Sequence, residues 1–296
     1  TDAVRLLSIE KDDYKKELFS LYKDNIIDQY YGLKIQYLYP FISGKDFTYI
    51  PSPYLVVNAV TESMLNRVTF RDNKLRRAIG KEVIESYLYN IVRQLDTVTW
   101  ISPELLYKKG KDKLLTSDVI AAEGDNVIFY DTKAITPSLK LRKFDVAEIE
   151  ADIEIYAEDV IQIYNQINNY LQGCFQLDKQ YLKDKIFGIV VVLEDAVVSR
   201  KKVYEKVYEI LEKTETLDTE EKNYICSHIK VLPLRAIECM ILQNTSLLPE
   251  LIEQLSKPER WYDYTYTNAT IENGKIPLYS KYEKDLKSRI KNRIMG

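Results

Sequence analysis

Val127-Ile128-Phe129-Tyr130-Asp131-Thr132-Lys133-Ala134 is the stretch on which the fold turns. It opens as an apolar, β-branched and aromatic run that reads as an internal strand, and it closes on an acid and an ammonium. Side chains alternate along a strand, so Asp131 and Lys133 share one face while Thr132 points to the other. A carboxylate held there can ligate a hard cation such as Mg²⁺. The neighbouring ammonium can orient or help deprotonate a water and offset charge on a phosphoryl oxygen. Taken alone, an Asp-x-Lys triplet reads more simply as a solvated strand face or an edge device, so its surroundings have to decide.

Immediately upstream, Glu123-Gly124-Asp125-Asn126 has the composition of a tight hairpin turn, and Leu114–Ala122 reads as the partner strand. Asp118 lies in that partner, so Asp118 and Asp131 can converge on one cation; neither would be comfortable buried without it. Thr97–Tyr107 reads as a further strand, separated from Leu114–Ala122 by Gly110-Lys111-Asp112. Ahead of the strands, helical periodicity strengthens from Asn73 to Leu95. Behind them, a basic, proline-containing loop (136–143) and an acidic stretch lead into a helix from about Ala157 to Gly173. Ile186–Leu193 then forms a near-continuous apolar strand broken only by Gly188, a central-sheet pattern. Val203–Lys213 reads as helix, Ile229–Leu234 as strand, and Leu247–Leu255 and Tyr282–Ile294 as helices. Upstream of all this, Asp12–Tyr39 reads as helix, and Pro40, Gly44, Pro51 and Pro53 punctuate a looser stretch.

The order helix, three strands, helix, strand implies a sheet with helices on both sides. Three regions are expected: a mainly helical region over 1–73, a core over 74–195, and an α/β extension over 196–296 packed on the core.

Bulk properties exclude several alternatives. The 296 residues suffice for a sizeable core. A net charge of −3 means that any polyanion contact must come from local basic clusters and metal ions. Three widely spaced cysteines (Cys174, Cys226, Cys239) with no C-x-x-C pair argue against a disulfide framework or a structural zinc, and for a reducing, cytoplasmic setting. A single histidine, His228, makes a histidine triad or histidine-metal hydrolase improbable. No apolar run is long enough to span a bilayer and no signal peptide is visible. The chain opens on Thr1, as a processed product or an excised piece of a longer protein would. Its 24 tyrosines by themselves decide nothing.

Ser117-Asp118 followed, thirteen residues on, by Asp131-Thr132-Lys133 resembles the P-D…(D/E)-x-K signature of the PD-(D/E)XK nuclease superfamily. The departure is Ser117 where proline is usual. Two further motifs resemble that family: an acidic residue on the helix before the sheet, within Gly80-Lys81-Glu82-Val83-Ile84-Glu85-Ser86-Tyr87, and a Gln-x-x-x-Tyr helix after the lysine, Gln166 to Tyr170, similar to RecB-like branches. The resemblance covers about 120 residues. It implies a restriction-endonuclease-like α-β-β-β-α-β core in the α/β class, with a mixed sheet flanked by helices. It further implies Mg²⁺ or Mn²⁺ held by Asp118, Asp131, an acid of the first helix and the backbone carbonyl of Thr132. Lys133 would position the attacking water, and Gln166 would belong to the same catalytic set.

Helix geometry chooses between the two glutamates. At 100° per residue, Ile84, Leu88, Ile91, Val92 and Leu95 make one apolar stripe. Glu85 falls at its margin and Glu82 further towards solvent, so Glu85 is the favoured ligand, with Glu82 in reserve. On the later helix, Val160, Ile163, Tyr164, Ile167 and Leu171 form the stripe; Gln166 and Tyr170 sit together at one edge, where Tyr170 could simply be packing.

Basic clusters at Arg71-Lys74-Arg76-Arg77 and Lys140-Arg142-Lys143 abut this constellation in sequence. They are candidate phosphate contacts that would position a backbone without reading bases. The partners implied are nucleic acid, DNA ahead of RNA, together with a second copy of the chain or a partner protein of a larger complex, and no membrane. The family's breadth suggests a restriction or phage-defence role. Two rivals stand beside the nuclease: a catalytically silent binding module on the same fold, and a helical signalling or scaffold protein built on the tyrosine-rich N-terminal region.

Overall fold

The computed structural model describes residues 4–5, 7–21, 36, 39–60, 73–134, 146–193, 198–214 and 216–242. The predicted helices at 247–255 and 282–294, the 136–143 loop and most of the 22–39 segment lie outside them. The chain divides into two compact units, Thr1–Arg76 with Thr136–Ile149, and Arg77–Ile135 with Glu150–Gly296.

The smaller unit holds a three-stranded sheet of β1 (Ser8–Glu10), β2 (Phe41–Ser43) and β3 (Thr48–Tyr49). Helix α1 (Lys11–Leu21) follows β1 directly, and α2 spans Pro53–Val60. Helix α3 (Asn73–Ile79) straddles the boundary between the units.

In the larger unit a five-stranded mixed sheet runs β10-β9-β8-β7-β4, with β4 at Val98–Pro103, β7 at Val119–Glu123, β8 at Asn126–Lys133, β9 at Ile186–Val192 and β10 at Ile229–Pro233. β8 is the middle strand, which is why Val127 to Tyr130 are fully buried and why the sequence there is apolar without interruption. β7 and β8 are joined by the two-residue turn Gly124-Asp125 between the paired Glu123 and Asn126, with Gly124 at φ +58°. β8 pairs parallel with β9, and β9 parallel with β10, so each connection needs a crossover. Helix α5 (Val146–Leu171) supplies the first. It approaches β9 so closely that a Cβ on Gly188 would collide with the Ile163 side chain; the glycine that breaks the apolar run is therefore a packing requirement. Helices α6 (Arg200–Leu211) and α7 (Thr219–His228) precede β10, and α8 (Leu234–Leu242) follows it.

The fold is thus a mixed α/β sheet flanked by helices, in the expected order of helix, three sheet strands, helix, strand. Three local expectations are corrected. The helix before the sheet is not one continuous α-helix: Gly80–Glu85 forms a π-helical turn, and α4 begins only at Ser86 and ends at Val92. The uniform 100° wheel therefore does not apply across the turn, although Ile84, Leu88, Ile91, Val92 and Leu95 are all buried as expected. Second, Thr97–Tyr107 and Leu114–Ala122 each break. Leu105 and Thr116 clamp one another, Leu105 N–H donating to Thr116 Oγ1 at 2.8 Å and Thr116 N–H to Leu105 O at 2.9 Å. The segment between them leaves the sheet as a separate hairpin of β5 (Leu106–Lys109) and β6 (Asp112–Leu115). Third, α5 begins at Val146, not Ala157, because Ile153 and Tyr156 carry its buried stripe back through the acidic stretch; Leu171, expected in that stripe, is 40% exposed.

Candidate active site

Antiparallel β7 and β8 bring the start of one strand beside the end of the other. Val119 pairs with Tyr130, so Asp118, in the bend just before β7, stands opposite the Asp131 end of β8. Asp118 is not itself a strand residue, because its carboxylate takes the place of a ladder carbonyl. Asp118 Oδ2 accepts the Thr132 backbone N–H at 2.6 Å and the Thr132 hydroxyl at 2.7 Å.

Asp131 is buried, with 3% of its surface exposed. Its Oδ2 lies 2.7 Å from the Lys133 ammonium, which fits the shared face expected from alternation. Lys133 has two further neighbours on α5: Asp159 Oδ1 at 3.4 Å and Gln162 Oε1, which accepts from it at 2.8 Å. Burial, helped by the nearby Asp118 and Asp159 charges, pushes Asp131 up to about 6 against the opposing pull of Lys133. For Lys133 burial works downward, but the two carboxylates outweigh it and its pKa is raised. Burial also raises Asp159, with Lys133 opposing.

Glu85 ends the π-helical turn, half-buried, whereas Glu82 is exposed. Burial and the Asp118 charge push Glu85 up to about 7; Lys81 opposes, and Glu104 and Asp131 add to the rise. Glu85, Asp118 and Asp131 thus lie within electrostatic reach of one another, while Glu82 is exposed.

The Gln-x-x-x-Tyr pair divides. Gln166 is buried and accepts a hydrogen bond from the Ser117 hydroxyl, next to Asp118. Tyr170 belongs instead to an aromatic cluster with Phe129 and Phe175. Its hydroxyl accepts the Tyr181 N–H at 2.9 Å and donates to Lys179 O at 3.2 Å. It packs away from Lys133. The residues that do reach Lys133, Asp159 and Gln162, were missed by sequence reasoning. Their signal is a polar row on α5, Asp159, Gln162, Gln166 and Asn169, spaced three, four and three residues apart along one edge of the apolar stripe.

Of the basic candidates, Arg77 is exposed and Arg76 half-buried, its guanidinium pKa lowered by burial. Lys140, Arg142 and Lys143 lie outside the described residues. His228 stacks on Tyr224 and Phe187 as a packing residue. Cys174 and Cys226 are free thiols; the Cys239 side chain is not among the described ones.

The acids match a hard divalent cation in kind: they are oxygen donors, partly desolvated, and two of them, Glu85 and Asp131, are raised by burial and by the nearby Asp118 charge. Among the described residues, however, no three acidic, histidine or cysteine side chains stand close enough to form a ready-made metal cluster. Nor is any helix among those residues long and apolar enough to cross a membrane.

No family model matches the chain. A stretch of 134 residues is 26% identical to a probable DNA-directed RNA polymerase of Gelasinospora sp. (strain G114); it covers 45% of this chain but spans only 15% of that protein's length. Among solved structures, the small subunit (R.BspD6I2) of the heterodimeric restriction endonuclease R.BspD6I aligns over 67% of this chain and 85% of its own, with 8% identity and a TM-score of 0.27. A superposition that loose carries no argument about activity.

Proposed function

We propose that residues 74–195 are the core of a divalent-metal-dependent nuclease of the PD-(D/E)XK type, hydrolysing phosphodiester bonds, DNA before RNA. One observation carries this reading: Asp118 and Asp131 meet at one end of one sheet, with the Lys133 ammonium 2.7 Å from Asp131 and Glu85 on the preceding helical turn within electrostatic reach of both acids. Asp118, Asp131 and Glu85, with the Thr132 carbonyl, would hold Mg²⁺ or Mn²⁺. When bound, the ion would polarise the phosphoryl group and stabilise the departing oxygen. The chain's own residues do the rest. Lys133, held from the sheet by Asp131 and from α5 by Asp159 and Gln162, would orient the attacking water. Gln166, through Ser117, fixes the bend that presents Asp118. The raised Glu85 and Asp131 would meet the metal by releasing protons.

A second reading, a metal-free nucleic-acid-binding module on the same fold, is favoured by one observation. Asp118 is already committed to Thr132, and the described residues offer no ready-made cation cluster.

The test is to incubate the protein with linear, circular and single-stranded DNA and with RNA, in Mg²⁺, in Mn²⁺ and in EDTA, beside Lys133→Ala. Metal-dependent cleavage lost in Lys133→Ala is expected. Cleavage that survives the substitution would overturn the site. Absence of cleavage, together with no cation binding by calorimetry, would favour the binding module.

A further inference from the structure

The hairpin β5–β6 carries Lys108, Lys109, Lys111 and Lys113 against a single acid, Asp112, in a chain whose net charge is −3. Strand alternation divides these residues between two faces. The inward face is built: Tyr107 is buried against Phe175 with ring centroids 4.8 Å apart, and its hydroxyl accepts a hydrogen bond from Asn169 Nδ2 at 2.8 Å. Lys109 Nζ donates to Asn169 Oδ1 at 2.7 Å. One helix residue thus pins both inward side chains, and the Leu105–Thr116 clamp closes the base.

The outward face carries Lys108 directly paired with Lys113, with Leu106 paired to Leu115 beside them and Lys111 at the turn. Lys108, Lys111 and Lys113 are exposed and have no ion-pair partner among the described residues. Like charges placed directly opposite on a two-stranded ribbon destabilise it, so folding gives no reason for this pair. A polyanion would reverse the sign of that cost.

Location narrows the choice of polyanion. Leu115 is three residues from Asp118, at most about 11 Å of chain. Asn169, which anchors the hairpin, is seven residues from Gln162, about 10 Å along the helix. Nucleic acid carries charges closely enough spaced to meet the lysines and the acidic end of the sheet together. We infer that the outward face of the β5–β6 hairpin is a phosphate-backbone contact for nucleic acid, positioning it beside Asp118 and Lys133 without reading its sequence. The inference rests on the proposed function only in taking nucleic acid as the ligand, which both readings of that site share.

The experiment measures affinity for a short linear DNA duplex, the matching single strand and an RNA of the same sequence across a salt series, with cleavage followed in parallel. Lys108→Gln/Lys111→Gln/Lys113→Gln is expected to weaken binding at least about ten-fold and to flatten the log K against log salt slope by roughly 2 to 3, close to 0.9 per lost duplex phosphate contact. Lys113→Glu separates this from a folding defect: a cross-strand ion pair with Lys108 should raise the melting temperature while binding falls. If the wild type cleaves and both variants bind with its affinity and slope, the inference fails and the nuclease reading stands. Variants that lose binding in a protein that cleaves nothing and binds no cation support the inference while the nuclease reading falls. A wild type that binds no nucleic acid overturns it outright.

Discussion

Asp118 does for Thr132 what a neighbouring strand's carbonyl does elsewhere in the sheet: one oxygen accepts both its backbone N–H and its hydroxyl, at 2.6 and 2.7 Å. The proposed metal ligand is therefore also a structural acceptor, and its substitutions should separate the two roles. Asp118→Ala leaves two donors unmet in a half-buried place and should cost about 1–3 kcal/mol of stability in urea melts. Asp118→Asn keeps an acceptor and should cost less than half of that, yet lose metal-dependent cleavage by roughly 100-fold or more. Thr132→Val removes only the hydroxyl bond. If it abolished cleavage as fully as Asp118→Asn, Asp118 would act through the fold alone.

Lys133 is held on two sides, by Asp131 on its own strand and by Asp159 and Gln162 on α5. A cation arriving at Asp131 would compete for that carboxylate, leaving the helix residues to keep the ammonium in place. In the proposed site Asp159 would accordingly be a positioning residue. Asp159→Asn should lower kcat by roughly 10–100-fold with little change in KM, and Asp159→Glu should recover part of it. Steady-state cleavage kinetics check this; a change confined to KM would count against the role.

The parts of this arrangement differ in how far the sequence discloses them. The apolar run of β8, the Gly124-Asp125 turn and the buried stripe from Ile84 to Leu95 are legible because burial and backbone geometry act residue by residue on a fixed period. Asp131 beside Lys133 follows from strand alternation alone. Asp159 and Gln162 do not, because meeting Lys133 depends on where α5 crosses the sheet, and that is fixed by Ile163 settling over Gly188. The β5–β6 hairpin was hidden for a different reason. Its strands have ordinary strand composition, and only the Leu105–Thr116 clamp shows that they leave the sheet.

The acids make the metal-free protein sensitive to pH in a stated direction. Folding raises Glu85 to about 7 and Asp131 to about 6, above their unfolded values near 4. Between about pH 4 and 7 the folded state therefore binds more protons than the unfolded one, and stability contributed by these groups falls as pH rises. Thermal melts in EDTA should show a lower melting temperature at pH 8 than at pH 5.5. Mn²⁺ or Mg²⁺ should raise it, more at pH 8 than at pH 5.5, since binding must displace those protons. Glu85→Gln combined with Asp131→Asn should remove most of both effects. A cation effect equal at the two pH values would separate metal binding from these carboxylates.

Lys230 supplies an opposite dependence far from the acids in sequence. On β10 it is only 4% exposed, its ammonium donating to Cys226 O at 2.6 Å while Arg200 Nη2 donates to the same oxygen at 3.3 Å. Burial, with the Arg200 charge adding to it, lowers Lys230 to about 7. Its folded pKa lies below its unfolded one, so between about pH 7 and 10 the unfolded state binds more protons and stability rises with pH. Below pH 7 the lysine is charged in both states and the full penalty applies, on the order of 3–5 kcal/mol. Lys230→Met keeps the length of the side chain and removes the charge, and Arg200 still satisfies the Cys226 carbonyl. After about 1 kcal/mol for the lost hydrogen bond, the variant should be the more stable protein in urea titrations at pH 6. Its advantage should shrink steadily towards pH 10. Equal destabilisation of the variant at both pH values would mean that the ammonium is solvated in the folded protein.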